Sequence, residues 1–129
     1  MQTRIRNGFF PAVPVPMAYS GVVDDTAELS YIKWMTSHDI TGVAVWAHTG
    51  RGLWLDDIQR EKTARRWREH LGDKILICGV GSRDGSTEAE IVDEAVSMAK
   101  AAKECGADAV LAFPPSKLMK LVSALIRPR

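Results

Sequence analysis

The sequence is short of cysteine, of net charge and of long apolar runs, and each shortage removes a class of protein. Two cysteines, Cys78 and Cys105, cannot make a disulfide framework. Neither sits in CxxC spacing or near a histidine in sequence, so both are expected to be buried, reduced thiols. Seventeen Lys and Arg against sixteen Asp and Glu leave a net charge of +1, without the field of a nucleic-acid or membrane-surface protein. No stretch approaches the roughly 20 apolar residues of a transmembrane helix, and Met1 to Arg6 lacks the apolar core of a signal peptide. Neither nucleic acid nor membrane is an expected partner, and the cytoplasm is the expected location. Apolar residues at 46% and charged ones at 26% match a globular chain and exclude disorder or low complexity. Residues 1–129 are therefore read as one domain.

What is present is a repeated unit: a short apolar run, a Gly or Pro loop, then an amphipathic helix. The runs begin near Phe9, Thr41, Lys74 and Asp108, roughly 31 to 34 residues apart, the length of one βα unit. Strands are expected at Phe10 to Val15, Gly42 to Trp46, Lys74 to Cys78 and Asp108 to Phe113. Their near-continuous apolar character belongs to a parallel sheet covered on both faces. Helix starts are marked by Asp25 with Glu28, Asp56 with Gln59, and Thr87 with Glu90, a capping residue followed three positions later by a side chain that reaches back. In the second helix Ala64, Trp67 and Leu71 fall inward. Arg60, Lys62, Arg65, Arg66 and Arg68 are mixed with Asp57, Glu61 and Glu69, the pattern of a solvated face. In the third, Ile91, Ala95, Met98, Ala99 and Ala102 form one stripe, and Gly106 ends the helix as Gly72 ends the one before. A fourth helix is expected over Lys117 to Ile126. Trp46, Trp54 and Trp67 read as packing residues.

Four βα units fit either an open doubly wound sheet or half of a (βα)8 barrel, since a whole barrel needs about 250 residues. A dinucleotide site would require GxGxxG after the first strand. Gly79-Val-Gly81-Ser-Arg-Asp84-Gly85 follows the third strand instead and has aspartate at the third glycine. A half-barrel leaves an inner face and both parallel edges uncovered, so such a chain should pair with another half, open into a sheet, or be a piece of a longer protein.

The second strand ends in Val45-Trp46-Ala47-His48-Thr49-Gly50-Arg51-Gly52-Leu53, followed by Leu55-Asp56-Asp57 at a helix start. This resembles the dihydrodipicolinate synthase and N-acetylneuraminate lyase family, whose second strand ends in a Gly-Thr-Thr-Gly-Glu loop, then a leucine and an acidic helix start. Further matches run in order: Pro14 to Met17 with the family's Thr-Pro-Phe, Val22 to Asp24 with its Ile-Asp, Ile77 to Gly81 with its Ala-Gly-Val-Gly, and Gly106 to Pro115 with its fourth strand. The resemblance covers about residues 8 to 116.

The resemblance implies the N-terminal half of a (βα)8 barrel, here a truncated (βα)4 unit, and an oligomeric family of class I aldolases and lyases. In that family a lysine on the sixth strand forms a Schiff base with pyruvate or a related 2-oxo acid, and no cofactor or metal is implied. A desolvated lysine is nucleophilic, and its imine acts as an electron sink. His48 and Thr49 occupy the two threonine places of the substrate-carboxylate loop, Gly50 keeps its glycine, and Arg51 replaces the glutamate. Thr49 can still bind a carboxylate, while His48 either breaks the usual proton relay or exchanges its hydroxyl for an imidazole, the one catalytic role on offer here; otherwise it is a loop histidine bonded to a backbone carbonyl. Arg51 can recognise a second acidic group on a substrate, or pair with an acid on the next helix. Pro115 and Ser116 stand where tyrosine is common in the family.

The family's fifth-strand tyrosine and sixth-strand lysine would fall beyond Arg129. Lys74 starts a strand, at the wrong end of a barrel. Lys117 opens a helix, and Lys33, Lys62, Lys100, Lys103 and Lys120 read as helix surface. The closing Leu-Ile-Arg-Pro-Arg suggests a truncated or divergent C-terminus. Three functions stay open. The chain can be half of a Schiff-base lyase, inactive alone and completed by a C-terminal half. It can be a noncatalytic homo-oligomeric protein that keeps the 2-oxo-acid loop. It can be a small enzyme in which two halves pair and His48 acts as acid or base.

Overall fold

The structure is a computed structural model that describes residues 2–115. Its elements are α1 (Gln2–Arg6), α2 (Asp25–Thr36), β1 (Gly42–Val45), α3 (Asp57–Leu71), β2 (Ile75–Val80), α4 (Glu88–Glu104) and β3 (Ala109–Ala112). The expected helix over Lys117 to Ile126 lies outside the described residues. The short α1 has no apolar stripe to announce it and buries no residue. Its Arg4 guanidinium donates to the Asp73 carbonyl at 2.9 Å, which ties it to the loop before β2.

The sheet is parallel with strand order β1-β2-β3, Val43 opposite Leu76 and Cys78 opposite Val110. The strand expected over Phe10 to Val15 is reduced to a single parallel bridge between Ala12 and Ala44. The segment is nevertheless in place: Val13 N donates to Ala44 O at 3.1 Å, and Ala44 N to Pro11 O at 2.9 Å. Three prolines at 11, 14 and 16 remove donors, which confines such a run to a sheet edge and keeps its ladder sparse.

The spatial order is therefore the chain order, with no reversal. A doubly wound sheet needs a switch point at which the order turns back. Its absence among the described residues, together with helices on one face, makes this a sector of a barrel. Val13, Val43, Val45, Leu76, Cys78 and Val80 form that face. They pack in one core with Ile32 of α2, Ala64, Trp67 and Leu71 of α3, and Met98 and Ala102 of α4. The opposite, inner face carries Ala12, Pro14, Ile77 and Leu111, all exposed or half-buried. The coverage expected on both faces fails furthest at β3, where Val110 is 46% and Leu111 49% exposed. Val110 points to the helix side, but α4 is the last described helix on that side.

The helices α2, α3 and α4 each begin where a side chain replaces missing backbone partners. Asp56 accepts from Gln59 N at 2.8 Å and caps α3. Thr87 and Glu90 form a full capping box on α4. For α2 the cap is Asp24, whose Oδ1 accepts from Ala27 N at 3.0 Å, one residue before the expected Asp25. The displacement frees Asp25 and Glu28 for α3. Glu28 is 1% exposed and takes Arg66 at 2.7 Å and the Thr63 hydroxyl at 3.1 Å, while Asp25 takes Arg66 at 3.0 Å and Lys62 at 2.9 Å. Gly106, at φ +87, ends α4, with Cys105 and Ala102 buried behind it.

The basic cluster on α3 is not the solvated face its composition suggests. Arg60 pairs with Asp57 and donates to Gly52 O, and Arg65 donates to Glu104 O. Arg68 donates to Asp108 at 3.0 Å and to the carbonyls of Gly72 and Lys74. Asp108 also accepts from Leu76 N at 2.9 Å, so one ion pair links α3, β2 and the start of β3. Periodicity places charges on a helix surface and is silent about which neighbouring unit faces them.

Candidate functional site

At the carboxyl end of β1 a loop leaves the sheet and returns to α3. Val45 is followed by Trp46 at φ +60, and five residues on Arg51 has φ +53. These are the only non-glycine residues with positive φ among those described, and a side chain in this region costs about 1–2 kcal/mol. Trp46 is held there by its surroundings: fully buried, its Nε1 donates to Arg60 O at 2.8 Å, and the Arg60 guanidinium lies 5.7 Å from the ring centre. The chain then folds back over it. A Cβ on Gly52 would come within 2.1 Å of Trp46 O, so only glycine permits the return.

Three of the four candidates from the sequence lie between those two residues, and Arg51 is the fourth. His48, Thr49 and Arg51 are exposed and Gly50 is buried. The turn is closed by Arg51 N donating to His48 O at 3.1 Å and Gly52 N to Ala47 O at 3.4 Å. The amides of His48, Thr49 and Gly50, the Thr49 hydroxyl and the Arg51 guanidinium find no acceptor or donor among the described residues. Consecutive free amides in a tight turn form a concavity suited to an anion. The structure thus brings all four residues into one turn at the end of the sheet where βα proteins carry their chemistry.

Phe113 was missed as a site residue. It follows β3, donates its amide to Val80 O at 3.0 Å, and lays its ring 4.6 Å from that of His48. Gly79 makes room for it: a Cβ there would meet the ring at 2.6 Å and Trp46 O at 2.7 Å. Its position at the end of the fourth apolar run, before two prolines, was the available signal. Trp54 is also not the core residue expected. It is 66% exposed, with the Arg83 guanidinium 4.4 Å above its ring. Trp67 does pack, fully buried and edge-on to Tyr31 at 6.0 Å, and its Nε1 finds no partner.

A cavity of about 40 Å³ opens beside the turn, walled by Trp46, His48, Arg51, Trp54 and Phe113. A larger cleft of about 280 Å³ lies between the loops and α4, with Arg60, Arg83, Asp84, Glu94 and Ser97 on its walls. The charges there already answer one another: Glu94 accepts from the Ser82 hydroxyl at 2.5 Å and from the amides of Arg83 and Asp84. Those bonds hold its carboxyl below the usual range, the serine contributing most. The small cavity therefore adjoins unsatisfied groups, and the large one adjoins satisfied ones.

The lysines lie elsewhere. Lys74 donates to Ile40 O at 3.0 Å, at the opposite end of the strands from the turn. Lys33, Lys62, Lys100 and Lys103 are exposed on helices, and Lys117 and Lys120 are outside the described residues. Both cysteines are buried and free, and burial pushes the Cys78 thiol up to about 12, far from a reactive thiolate.

Monotonic parallel strands, helices on one face and a turn of free amides at the carboxyl ends define a sector of a (βα)8-type protein. The comparison with known proteins makes that class specific. The profile of the Dihydrodipicolinate synthetase family matches residues 6–118, and the chain belongs to that family. It is similar to the 4-hydroxy-tetrahydrodipicolinate synthase of Bartonella quintana, at 28% identity over 84% of this chain and 35% of the relative. Among solved structures it is similar to the dihydrodipicolinate synthase of Agrobacterium tumefaciens, with TM-score 0.71 and 26% identity over 93% of this chain and 40% of the other. The N-acetylneuraminate lyase of Proteus mirabilis, at 24% identity and TM-score 0.68 over 90% of this chain and 39% of the other, shares the fold. The chain spans about a third of the length of the curated relatives it matches.

Proposed function

We propose that these residues form the carboxylate-binding part of a Schiff-base lyase or aldolase acting on pyruvate or a related 2-oxo acid in the cytoplasm. In this reading residues 1–129 are one (βα)4 unit, completed by a C-terminal half that supplies the remaining βα units. The observation that carries the reading is the run of free amides at His48, Thr49 and Gly50, with the Thr49 hydroxyl beside them, at the carboxyl end of β1. A carboxylate seated on those amides leaves the adjoining keto carbon facing the inner side of the sheet. His48, fixed in orientation by the Phe113 ring, stands where a proton can be passed to or from the substrate. The amine nucleophile comes from outside the described residues, because Lys74 is at the far end of the strands and the other described lysines are on the helices' outer surface.

A second reading, a noncatalytic oligomerising protein that binds 2-oxo acids, is favoured by the uncovered β3, with Val110 and Leu111 each about half exposed. One experiment separates the two. The purified chain is incubated with pyruvate and borohydride, which freezes an imine as a permanent adduct, and its intact mass is measured beside its size in solution. The first reading predicts an unmodified mass for the chain alone and an adduct on a lysine of the completing half when that half is supplied. A stable homo-oligomer that binds pyruvate and forms no adduct with any partner half supports the second. An adduct on the isolated chain overturns both, since a lysine within it would then carry the chemistry.

A further inference from the structure

Arg51 is the cation of the turn that none of the described residues neutralises. Its guanidinium is exposed, walls the small cavity beside His48, and has no hydrogen bond or ion pair among the described residues. The acids within reach of this end of the sheet are committed elsewhere. Asp56 caps α3, Asp57 pairs with Arg60, Asp84 pairs with Arg83, and Glu94 holds Ser82 and two amides. Arg51 is the one cationic side chain lining that cavity among the described residues, since Arg83 stacks on Trp54 but lines the larger cleft instead. Arginine keeps its charge at any physiological pH and presents a planar fork matched to a carboxylate. Its backbone, at φ +53, closes the turn through bonds to His48, Trp54 and Leu55, while its side chain makes none among the described residues.

The turn thus offers two separate anion acceptors, the amides of His48 to Gly50 and the guanidinium of Arg51. Resting on the carboxylate-loop reading above, we propose that the site selects 2-oxo acids bearing a second carboxylate. The first carboxylate sits on the amides and the second on Arg51. The cavity, about 40 Å³, is of a size for a single small group such as a carboxylate and excludes a bulky aldehyde-derived chain from that side.

The test is a calorimetric titration of the 129-residue chain with 2-oxoglutarate and with 2-oxopentanoate, which has the same carbon count and a methyl in place of the terminal carboxylate. The expected result is that 2-oxoglutarate binds roughly tenfold tighter or more, as a charge-assisted pair should give. Arg51→Gln should abolish the preference, Arg51→Lys should keep part of it, and Thr49→Val should weaken both acids together. Each variant is checked for an unchanged melting temperature, which the exposure of both side chains leads one to expect. Equal binding of the two acids, or a preference that survives Arg51→Gln, overturns the dicarboxylate proposal and leaves the carboxylate loop standing. If neither acid binds, both fall.

Discussion

The α2–α3 seam and the β1–α3 turn are built from similar residues and treat them in opposite ways. In the seam, Asp25, Glu28, Lys62, Thr63 and Arg66 satisfy one another, and a carboxylate that is 1% exposed has a partner on each oxygen. In the turn, Thr49 and Arg51 are exposed, three amides lack acceptors, and two backbone positions sit in the left-handed region. The seam spends its polar groups on holding helices together. The turn keeps them available, and the packing of Trp46 and the glycine at 52 maintain a conformation that a free peptide would leave. Binding capacity of this kind is expected where local structure is unsatisfied and the scaffold around it is not.

The comparison is broken most severely at Arg66. Arg66→Ala strands the buried Glu28 carboxylate with only Thr63, and should lower unfolding stability by about 2–4 kcal/mol in a urea melt. Replacing Glu28 and Arg66 together by Gln and Met should recover much of that loss, because the unpaired buried charge is gone. A double variant as unstable as Arg66→Ala alone would show that packing, not charge, dominates the seam.

Acid should act on the two regions through different carboxylates. Asp25 is held below its ordinary 3.8 by the hydrogen bonds of Lys62 and Arg66, Asp56 below 3.8 by those of Gln59, and Glu94 below 4.5 by that of Ser82. A depressed folded value means that the stability each contributes is complete above its ordinary value and is lost as pH falls through the folded one. Glu28 runs the other way: burial raises its carboxyl above 4.5 despite Thr63 and Arg66, so its contribution is complete below 4.5 and declines as pH rises through the folded value. Thermal melts from pH 7 down to pH 2.5 should therefore show falling stability below about pH 4 in both proteins, while just above pH 4.5 Glu28 makes the wild type gain stability as the pH falls, a slope that Glu28→Gln lacks. An unchanged slope in that variant would count against a raised Glu28.

The smallest effect is expected at the turn itself. Arg51→Gly removes a side chain from φ +53 and should leave stability unchanged or raise it by about 0.5–1 kcal/mol, readable as a shift of a few degrees in the melting temperature. A clear loss of stability would mean that Arg51 makes a structural contact after all.

The sequence reached the fold through repetition. Apolar runs at a βα spacing located β1, β2 and β3, and the caps at Asp56 and Thr87 stand where they were expected, because capping is a local contest between a side chain and the first free amides. The first strand was legible as an extended segment but not as a ladder, since Pro11, Pro14 and Pro16 leave few donors. The Asp24 cap was misplaced by one residue because adjacent aspartates carry the same local signal, and only the position of α3 decides that the second one turns to Arg66.

His48, Thr49, Gly50 and Arg51 stand out as candidates from motif order alone, and their common turn follows from chain adjacency. Phe113 was not, because it lies some sixty residues further along the chain and meets His48 only when the third and first strands curve toward each other across Gly79. The sequence by itself determined the units, their caps and the composition of the turn, all of which depend on neighbours within one or two helical turns. Only the tertiary structure decided which arginines of α3 are paired and that Arg51 is without a partner among the described residues. That choice depends on the acids that other units bring within reach, and spacing along the chain carries no record of it.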